Sequence, residues 1–283
     1  MIRDSLGDKQ YWEDRVRKAE DWMAESSLIL QRPSKNDLYR PQFSFDCSMD
    51  VLRLILTRYS AGRSVAESGI YFSSILENWE LSNRLAAEVC SEKNLVSCRN
   101  WVFTISNLNH YNWCFWLVGL ALALDIPKDE WDRLIALIGG EGEDMLLDRI
   151  IGVRQPGRKV GLDLLHKKPY SRLLKVIDSP PENQPELLKE FVLNWYPELA
   201  RKGKAALWWY VFGDEVLHPL TMGSYFGRWC LEAVAAVKAF DLDDGLCLGL
   251  EHYPAALIHQ DIDEKREPKV GWGRTLWNKF IKH

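Results

Sequence analysis

Two histidines and a group of carboxylates near the C-terminal end are the residues with the side chains most suited to chemistry. His252 and His259 have acidic residues close by in the sequence, but their spacing fits no zinc-binding pattern. A phosphate-binding glycine loop follows a strand, but the stretch "GEGED" at 140–144 has no predicted strand before it. No serine or cysteine stands in a nucleophile motif. The sequence therefore predicts no cofactor and no metal, and it favours binding over catalysis.

Three aspartates follow directly on an apolar run that ends at Phe240. Asp241, Asp243 and Asp244 lie within four positions of one another. As paired carboxylates they would suit an enzyme acting on a glycan or a nucleotide. As helix caps they would accept backbone amide hydrogens that lack a partner. Both interpretations stay open, and capping is favoured for at least one of the three, Asp243 above all.

The distribution of charge separates one acidic segment from the rest of the chain. Residues 210–264 contain ten acidic residues and two basic ones, whereas residues 149–204 contain twelve basic and six acidic ones. Clustered carboxylates attract a basic partner over a long range. The candidate partner-binding residues are Asp214, Glu215, Asp241, Asp243, Asp244 and Glu251. The alternative is a solvated acidic face, with docking through the first helix or the basic region 154–168.

Helical periodicity dominates the whole chain, and no alternating strand pattern is present. Apolar spacing and capping signals predict helices at 8–30, 49–59, 64–90, 97–124 with a break near 107–109, 128–138, 171–177, 186–196, 204–211, 224–240 and 255–260. The third helix opens with "SVAE" at 64–67, a capping-box pattern. Glycines at 139 and 140 end the helix before them. The sequence predicts an all-α helical bundle.

The two halves of the sequence repeat each other at an offset of 116 positions. Asn78-Trp79 recurs as Asn194-Trp195, Trp113-Cys114 as Trp229-Cys230, and Asp125-Ile126 as Asp241-Leu242. Three dipeptides in one register indicate two related helical units stacked into one body. The repeat also predicts that Trp113 and Trp229 occupy equivalent core positions.

A stretch rich in Gly, Pro and Arg marks the division between the units. We predict an N-terminal helical domain at 1–140, a linker at 141–162, a C-terminal helical domain at 163–264 and a basic tail at 265–283. The tail is either loose or docks through Trp272, Trp277 and Phe280.

Composition limits the class of protein. The chain has 283 residues, of which 47% are hydrophobic, so it can bury a substantial core. The charged N-terminus predicts no signal peptide. The longest apolar run, at 113–124, is too short to span a membrane. Six cysteines form no CxxC motif and lie in apolar patterns, which is typical of a reduced cytoplasmic protein.

The acidic segment also carries a family resemblance. The sequence "YFGRWCLEAVAAVKAFDLDDG" at 225–245, with "EHYPAALIH" at 251–259, resembles the C-terminal domain of PoNi immunity proteins, known as domain of unknown function 1911. The family positions are occupied by Gly227, Trp229, Cys230, Glu232, Ala233, Asp243, Tyr253, Pro254 and Leu257. The opening "RDSLGDKQYW" at 3–12 resembles the companion N-terminal domain, 1910.

The resemblance implies an all-α cytoplasmic protein that neutralises a PoNe-type DNase toxin. Such toxins belong to the PD-(D/E)xK nuclease superfamily and are delivered by contact-dependent systems such as type VI secretion. The expected partner is the cognate nuclease toxin, held by occlusion, with no direct contact to nucleic acid or membrane. The sequence leaves the oligomeric state undefined. A helical enzyme using Asp241, Asp243 and Asp244, and a general protein-binding scaffold, remain as alternatives.

Overall fold

A computed structural model describes residues 2–33, 36–93 and 103–259, and within these ranges every regular element is a helix. The α-helices are α1 (Lys9–Gln31), α2 (Arg40–Ser60), α3 (Ser68–Lys93), α4 (Leu108–Ala123), α5 (Lys128–Ile138), α6 (Met145–Gly152), α7 (Tyr170–Asp178), α8 (Gln184–Glu198) and α9 (Leu231–Phe240). Short 3-10 turns lie at Pro181–Asn183, Gly203–Ala205, Leu220–Met222, Gly245–Cys247 and Ala255–Leu257. The predicted all-α class is confirmed.

The two central helices are the ones that the sequence repeat relates. Helix α4 packs along α9, and the side chains of both are almost entirely buried. Gly119 allows this close approach, because a Cβ at that position would lie 2.6 Å from the carbonyl oxygen of Leu231. Around this pair, α1, α2 and α3 pack in succession on the N-terminal side, and α7 packs on α8 on the C-terminal side.

The sequence repeat corresponds to a structural repeat. In the described residues, Asp125 and Asp241 are the non-glycine residues with positive φ, at 46° and 52°. Each lies just after the end of its helix. In both cases the backbone amide of the next residue donates to a carbonyl five residues earlier. Ile126 donates to the Ala121 carbonyl at 3.2 Å, and Leu242 donates to the Val237 carbonyl at 3.3 Å. This is the Schellman pattern, formed twice in the same register.

The buried members of the repeat agree with this correspondence, with one exception. Trp79 and Trp195 are fully buried, as are Cys114 and Cys230. Trp229 is buried, whereas Trp113 is only partly buried and packs at the edge of the core. The prediction of equivalent core positions is therefore right for Trp229 and wrong for Trp113.

Predicted helix bounds differ from the structure most clearly at α2, α3 and α9, and the helix predicted at 255–260 is only the 3-10 turn Ala255–Leu257. Helix α2 already begins at Arg40, with Pro41 in its first turn. Helix α3 begins only at Ser68, because the Glu67 carboxylate pairs with Arg58 and does not cap Ser64. Helix α9 begins at Leu231, not at 224, because Gly227 has a φ of 104° that no helix accommodates.

The predicted helix at 204–211 is wrong. A 3-10 turn at Gly203–Ala205 is followed by further turns. Leu207 and Trp209 enter the core from these turns, and the Trp209 indole donates to Asn112 at 2.9 Å. Tertiary contacts here replace the backbone ladder that the apolar spacing predicts.

The segment 141–162 is held by buried charge. The guanidinium group of Arg158 donates to Asp148 at 2.7 Å, and both side chains are 1% exposed. The other Asp148 carboxylate oxygen accepts the backbone amides of Gly142 and Gly161, each at 3.1 Å. A hydrophobic cluster continues from Phe45 to Leu257 across both halves. The division into domains stays a prediction, and the tail at 265–283, with Trp272, Trp277 and Phe280, lies outside the described residues.

Two further observations bear on composition. Cys47, Cys114, Cys230 and Cys247 are buried free thiols. Within the described ranges, every helix is too short or too polar to cross a membrane.

Candidate partner-binding site

The six predicted partner-binding carboxylates fall into two groups. Asp241, Asp243 and Asp244 lie where α9 ends, and we call them the α9 end. Asp214, Glu215 and Glu251 belong to a second group, the loop site. Its members lie in or beside turns that pack around Tyr196 and Arg228.

At the α9 end, two exposed aspartates have backbone roles. Asp241 is the residue in the left-handed region that ends α9. Asp243 accepts the backbone amide of Gly245 at 2.9 Å, in front of the 3-10 turn Gly245–Cys247. Asp243 thus accepts the first amide of this turn, as predicted, from the position before the N-cap residue Asp244.

Asp244 is buried and committed to internal contacts. Its side chain is 7% exposed. One carboxylate oxygen accepts the Tyr253 hydroxyl, and both oxygens lie 2.8 Å from Nε2 of His259. Burial, with the neighbouring Asp244 adding to the effect, raises the pKa of Tyr253. Asp244 thus ties the end of α9 to the final turns of the described chain.

The loop from Gly213 to His218 is ordered by its own backbone. The Gly213 amide donates to the His218 carbonyl at 2.9 Å, and the His218 amide returns to the Asp214 carbonyl at 3.1 Å. The Asp214 carboxylate accepts the amides of Leu217 at 2.7 Å and Val216 at 2.9 Å. These two hydrogen bonds lower the pKa of Asp214, so its negative charge is kept at neutral pH and below.

Asp214 and Glu251 act on a common neighbour. Burial raises the pKa of Tyr196 to about 12, Arg228 opposes the rise, and Asp214 and Glu251 add to it. The Arg228 guanidinium lies 4.7 Å from the centre of the Tyr196 ring and donates to the Phe212 carbonyl at 2.8 Å. Arg228, the arginine beside this group, is therefore held against aromatic and backbone groups and forms no ion pair within the described residues.

The N-terminal residues pack against the same region. Asp4 accepts the Tyr225 hydroxyl at 2.6 Å, and its carbonyl accepts the Trp12 indole at 2.9 Å. Arg3 donates to the carbonyls of Tyr59 and Arg63, both at 2.8 Å. The first residues of the chain therefore join α1, α2 and the segment beside the loop site.

Two family models match consecutive parts of this sequence. The model described as "PoNe immunity protein (PoNi), N-terminal" matches residues 3–136, and "PoNe immunity proteins (PoNi), C-terminal" matches residues 142–257. The chain belongs to the PoNi family of immunity proteins. No curated protein matches it. Among solved structures it is similar to "Protein PA2201 from Pseudomonas aeruginosa", with a TM-score of 0.68 and 16% identity, covering 94% of this chain and 91% of that chain. This likeness shows the fold alone.

The family motif of the PoNi C-terminal domain has a structural purpose in this chain. A Cβ at Gly227 would lie 2.2 Å from Oγ of Ser60, so only glycine fits between the two. The Trp229 indole donates to that same hydroxyl at 2.8 Å and stacks edge-on against Tyr59. The Gly-x-Trp motif therefore docks the C-terminal half of this PoNi protein onto α2.

A second motif residue, Glu232, is fully buried between the halves. Its Oε1 accepts the Asn112 amide at 2.9 Å and the Tyr170 hydroxyl at 3.1 Å. Its Oε2 has no hydrogen-bond partner by geometry, although the Trp195 indole lies beside the carboxyl group. Burial raises the pKa of Glu232 to about 7. Glu232 is one of the ten acidic residues of 210–264, but because it is buried it adds nothing to an exposed acidic surface.

The paired-carboxylate enzyme hypothesis receives no support from these contacts. Asp243 caps a turn, Asp244 is committed to Tyr253 and His259, and Asp241 ends a helix. Across residues 2–33, 36–93 and 103–259, no group of His, Cys, Asp and Glu side chains is arranged to hold a metal ion. The motif residues Gly227, Trp229 and Glu232 likewise hold the fold. The carboxylates of the loop site, which form no ion pair in the described residues, are therefore the better candidates for function.

Proposed function

We propose that this chain protects its host cell by binding a cognate nuclease toxin in a stoichiometric complex and covering the surface by which the toxin grips DNA. Membership of the PoNi family already makes it an immunity protein against a toxin. The nuclease activity of that toxin, its delivery by a type VI or similar contact-dependent system, and occlusion are parts of the proposal. A toxin that attacks chromosomal DNA would be met in the cytoplasm.

One observation carries the proposal: the loop site offers carboxylates that the fold does not neutralise. Asp214, Glu215 and Glu251 form no ion pair in the described part of the chain, whereas Asp148, Glu198 and Glu80 each bind an arginine. A surface that binds DNA presents basic groups to phosphates. Carboxylates placed where phosphates would lie therefore complement such a surface and speed the encounter.

The test is inhibition of DNA cleavage by the toxin domain encoded in the reading frame next to this chain. Plasmid cleavage should stop at a molar ratio of about one, because occlusion consumes one inhibitor for each enzyme. Excess duplex DNA added first should slow the inhibition, since both ligands then compete for the same surface.

Two results would contradict the proposal. Inhibition at ratios far below one would indicate an enzyme that modifies the toxin or its substrate. Binding that DNA does not compete with would exclude the occlusion mechanism and show that the complex forms elsewhere on the toxin. The double variant Asp241→Asn/Asp243→Asn is the control for the enzyme alternative, and it should inhibit as wild type does.

A further inference from the structure

The loop site carries exposed apolar side chains beside its carboxylates. Val216 is 87% exposed and Leu217 is 67% exposed, at adjacent positions in the loop that Asp214 orders. Burying two exposed branched aliphatic side chains against another molecule is favourable, so an adjacent pair in an ordered loop is a candidate contact. The loop thus presents apolar side chains at its tip and carboxylates where it joins the rest of the protein.

A second segment of the chain resembles the loop in exposure and order. Leu162 is 88% exposed and Val160 is 47% exposed. The backbone around them is fixed as well, because the amide of Gly161 donates to Asp148 and that of Leu165 donates to Asp144. Exposure and rigidity alone therefore do not single out the loop.

Charge distinguishes the two segments. Leu162 stands between Lys159 and the pair Lys167 and Lys168, with Asp163 as the single acid from 159 to 168. Val216 follows Asp214 and Glu215, and no basic residue occurs between Lys204 and Arg228. A basic partner surface is repelled by the first segment and attracted by the second.

We propose that Val216 and Leu217 are the apolar anchor of the toxin complex, inserting into a depression on the toxin that basic groups surround. This inference rests on the proposed function, and it identifies which part of the acidic surface makes the tight contact. The loop is already ordered in the free protein, so little conformational entropy is lost when it binds. The carboxylates beside the loop tip then contact the basic groups that surround the depression on the toxin.

The experiment compares two matched double variants, Val216→Ser/Leu217→Ser in the loop and Val160→Ser/Leu162→Ser in the basic segment. The probe is the toxin domain of the neighbouring reading frame, inactivated in its nuclease site, and the measurement is Kd by surface-immobilised binding. The loop variant should bind at least about tenfold more weakly, mainly through faster dissociation. The control variant should bind within about twofold of wild type. Val160 is about half exposed and the other three side chains are mostly exposed, so both variants should melt close to wild type.

Labelling gives a second readout that does not depend on affinity. A Leu217→Cys variant should react with a maleimide when free and be protected once the toxin is bound, whereas Leu162→Cys should react equally in both states. Wild type supplies the background, and four of its six cysteines, Cys47, Cys114, Cys230 and Cys247, are buried.

Each outcome decides between the proposals. If wild type does not bind the toxin, the proposed function and the anchor both fail. If wild type binds but the loop variant keeps its affinity and Leu217→Cys stays reactive, the anchor is wrong while the function stands. If only the control variant loses affinity, the basic segment is the anchor and the loop is excluded.

Discussion

Asp244 and Glu251 lie seven positions apart in the same acidic segment, but the structure uses them in opposite ways. The carboxylate of Asp244 is buried and bound to Tyr253 and His259. That of Glu251 is exposed and forms no ion pair within the described residues. A cluster of acids in a sequence thus mixes side chains that hold the fold with side chains free to meet a partner. Burial of the carboxylate separates the two kinds, and variants can test that separation.

The largest effect should come from removing the Asp244 carboxylate. Asp244→Ala leaves the buried Tyr253 hydroxyl without its acceptor, so the free energy of unfolding should fall by about 3 kcal/mol. Urea unfolding followed by tryptophan fluorescence measures this. The matched control Glu251→Ala should change stability by less than about 0.5 kcal/mol. Equal losses for both variants would show that the distinction between them is wrong.

Glu232 gives a second stability test, one that depends on pH. Because its folded pKa is about 7 while an exposed glutamate titrates near 4.3, the folded state keeps the proton when the unfolded state has lost it. Stability therefore falls as pH rises from about 4.5 to 7 and is level above that. Wild type should lose on the order of 3 kcal/mol of unfolding free energy between pH 4.5 and pH 8 through this group, and Glu232→Gln should not show that loss.

The comparison should be made as a difference between wild type and variant, because other groups titrate in the same range. Glu251→Gln is the control, and its pH profile should run parallel to that of wild type. A Glu232→Gln profile that also runs parallel would mean that the buried carboxyl is not the group that titrates.

A smaller effect is expected on binding when the loop site loses charge. Asp214→Asn keeps an oxygen for the amides of Val216 and Leu217, so the loop should stay ordered. Combined with Glu251→Gln, it should slow association with the toxin by about tenfold at low salt and flatten the salt dependence. Stopped-flow rates at low and high salt measure both. Asp241→Asn/Asp243→Asn is the α9-end control, and a larger slowing in that variant would move the contact there.

The smallest effect is predicted for Asp243→Asn. The amide oxygen of asparagine can still accept the Gly245 amide, so stability should change by less than about 0.5 kcal/mol. Asp243→Ala removes that acceptor and should cost about 1 kcal/mol. If the two variants are equally destabilised, the negative charge of Asp243 matters and the capping account is incomplete.

The fold could be predicted in those parts where local pattern and final packing agree. The predicted helix at 128–138 coincides with α5, and α1 begins at Lys9, one residue after its predicted start. The repeat at 116 positions also located the paired helix ends at Asp125 and Asp241. Residues 204–211 have the apolar spacing of a helix, but they form turns whose side chains fill the core. Apolar periodicity cannot distinguish these two arrangements.

Which acidic residues are buried in the fold and which stay exposed could be predicted only in part, for a physical reason. A sequence gives the charge of Glu232 and Asp244 but not their burial, which is set by Asn112, Tyr170, Tyr253 and His259 from other parts of the chain. The exposure of Val216 and Leu217 was not predicted, because two aliphatic residues in an apolar-rich segment look like core. Their position two and three residues after an aspartate, ahead of His-Pro, was the available signal for a turn.

The central claim is that the loop site, and not the α9 end, faces the toxin. Hydrogen exchange of backbone amides, measured by mass spectrometry with and without the inactivated toxin domain, tests it most directly. The account predicts slower exchange in peptides covering 213–218 and 250–252 when the toxin is bound, with no change at 241–247. Protection at 241–247 or at 155–168, with unchanged exchange at 213–218, would contradict it.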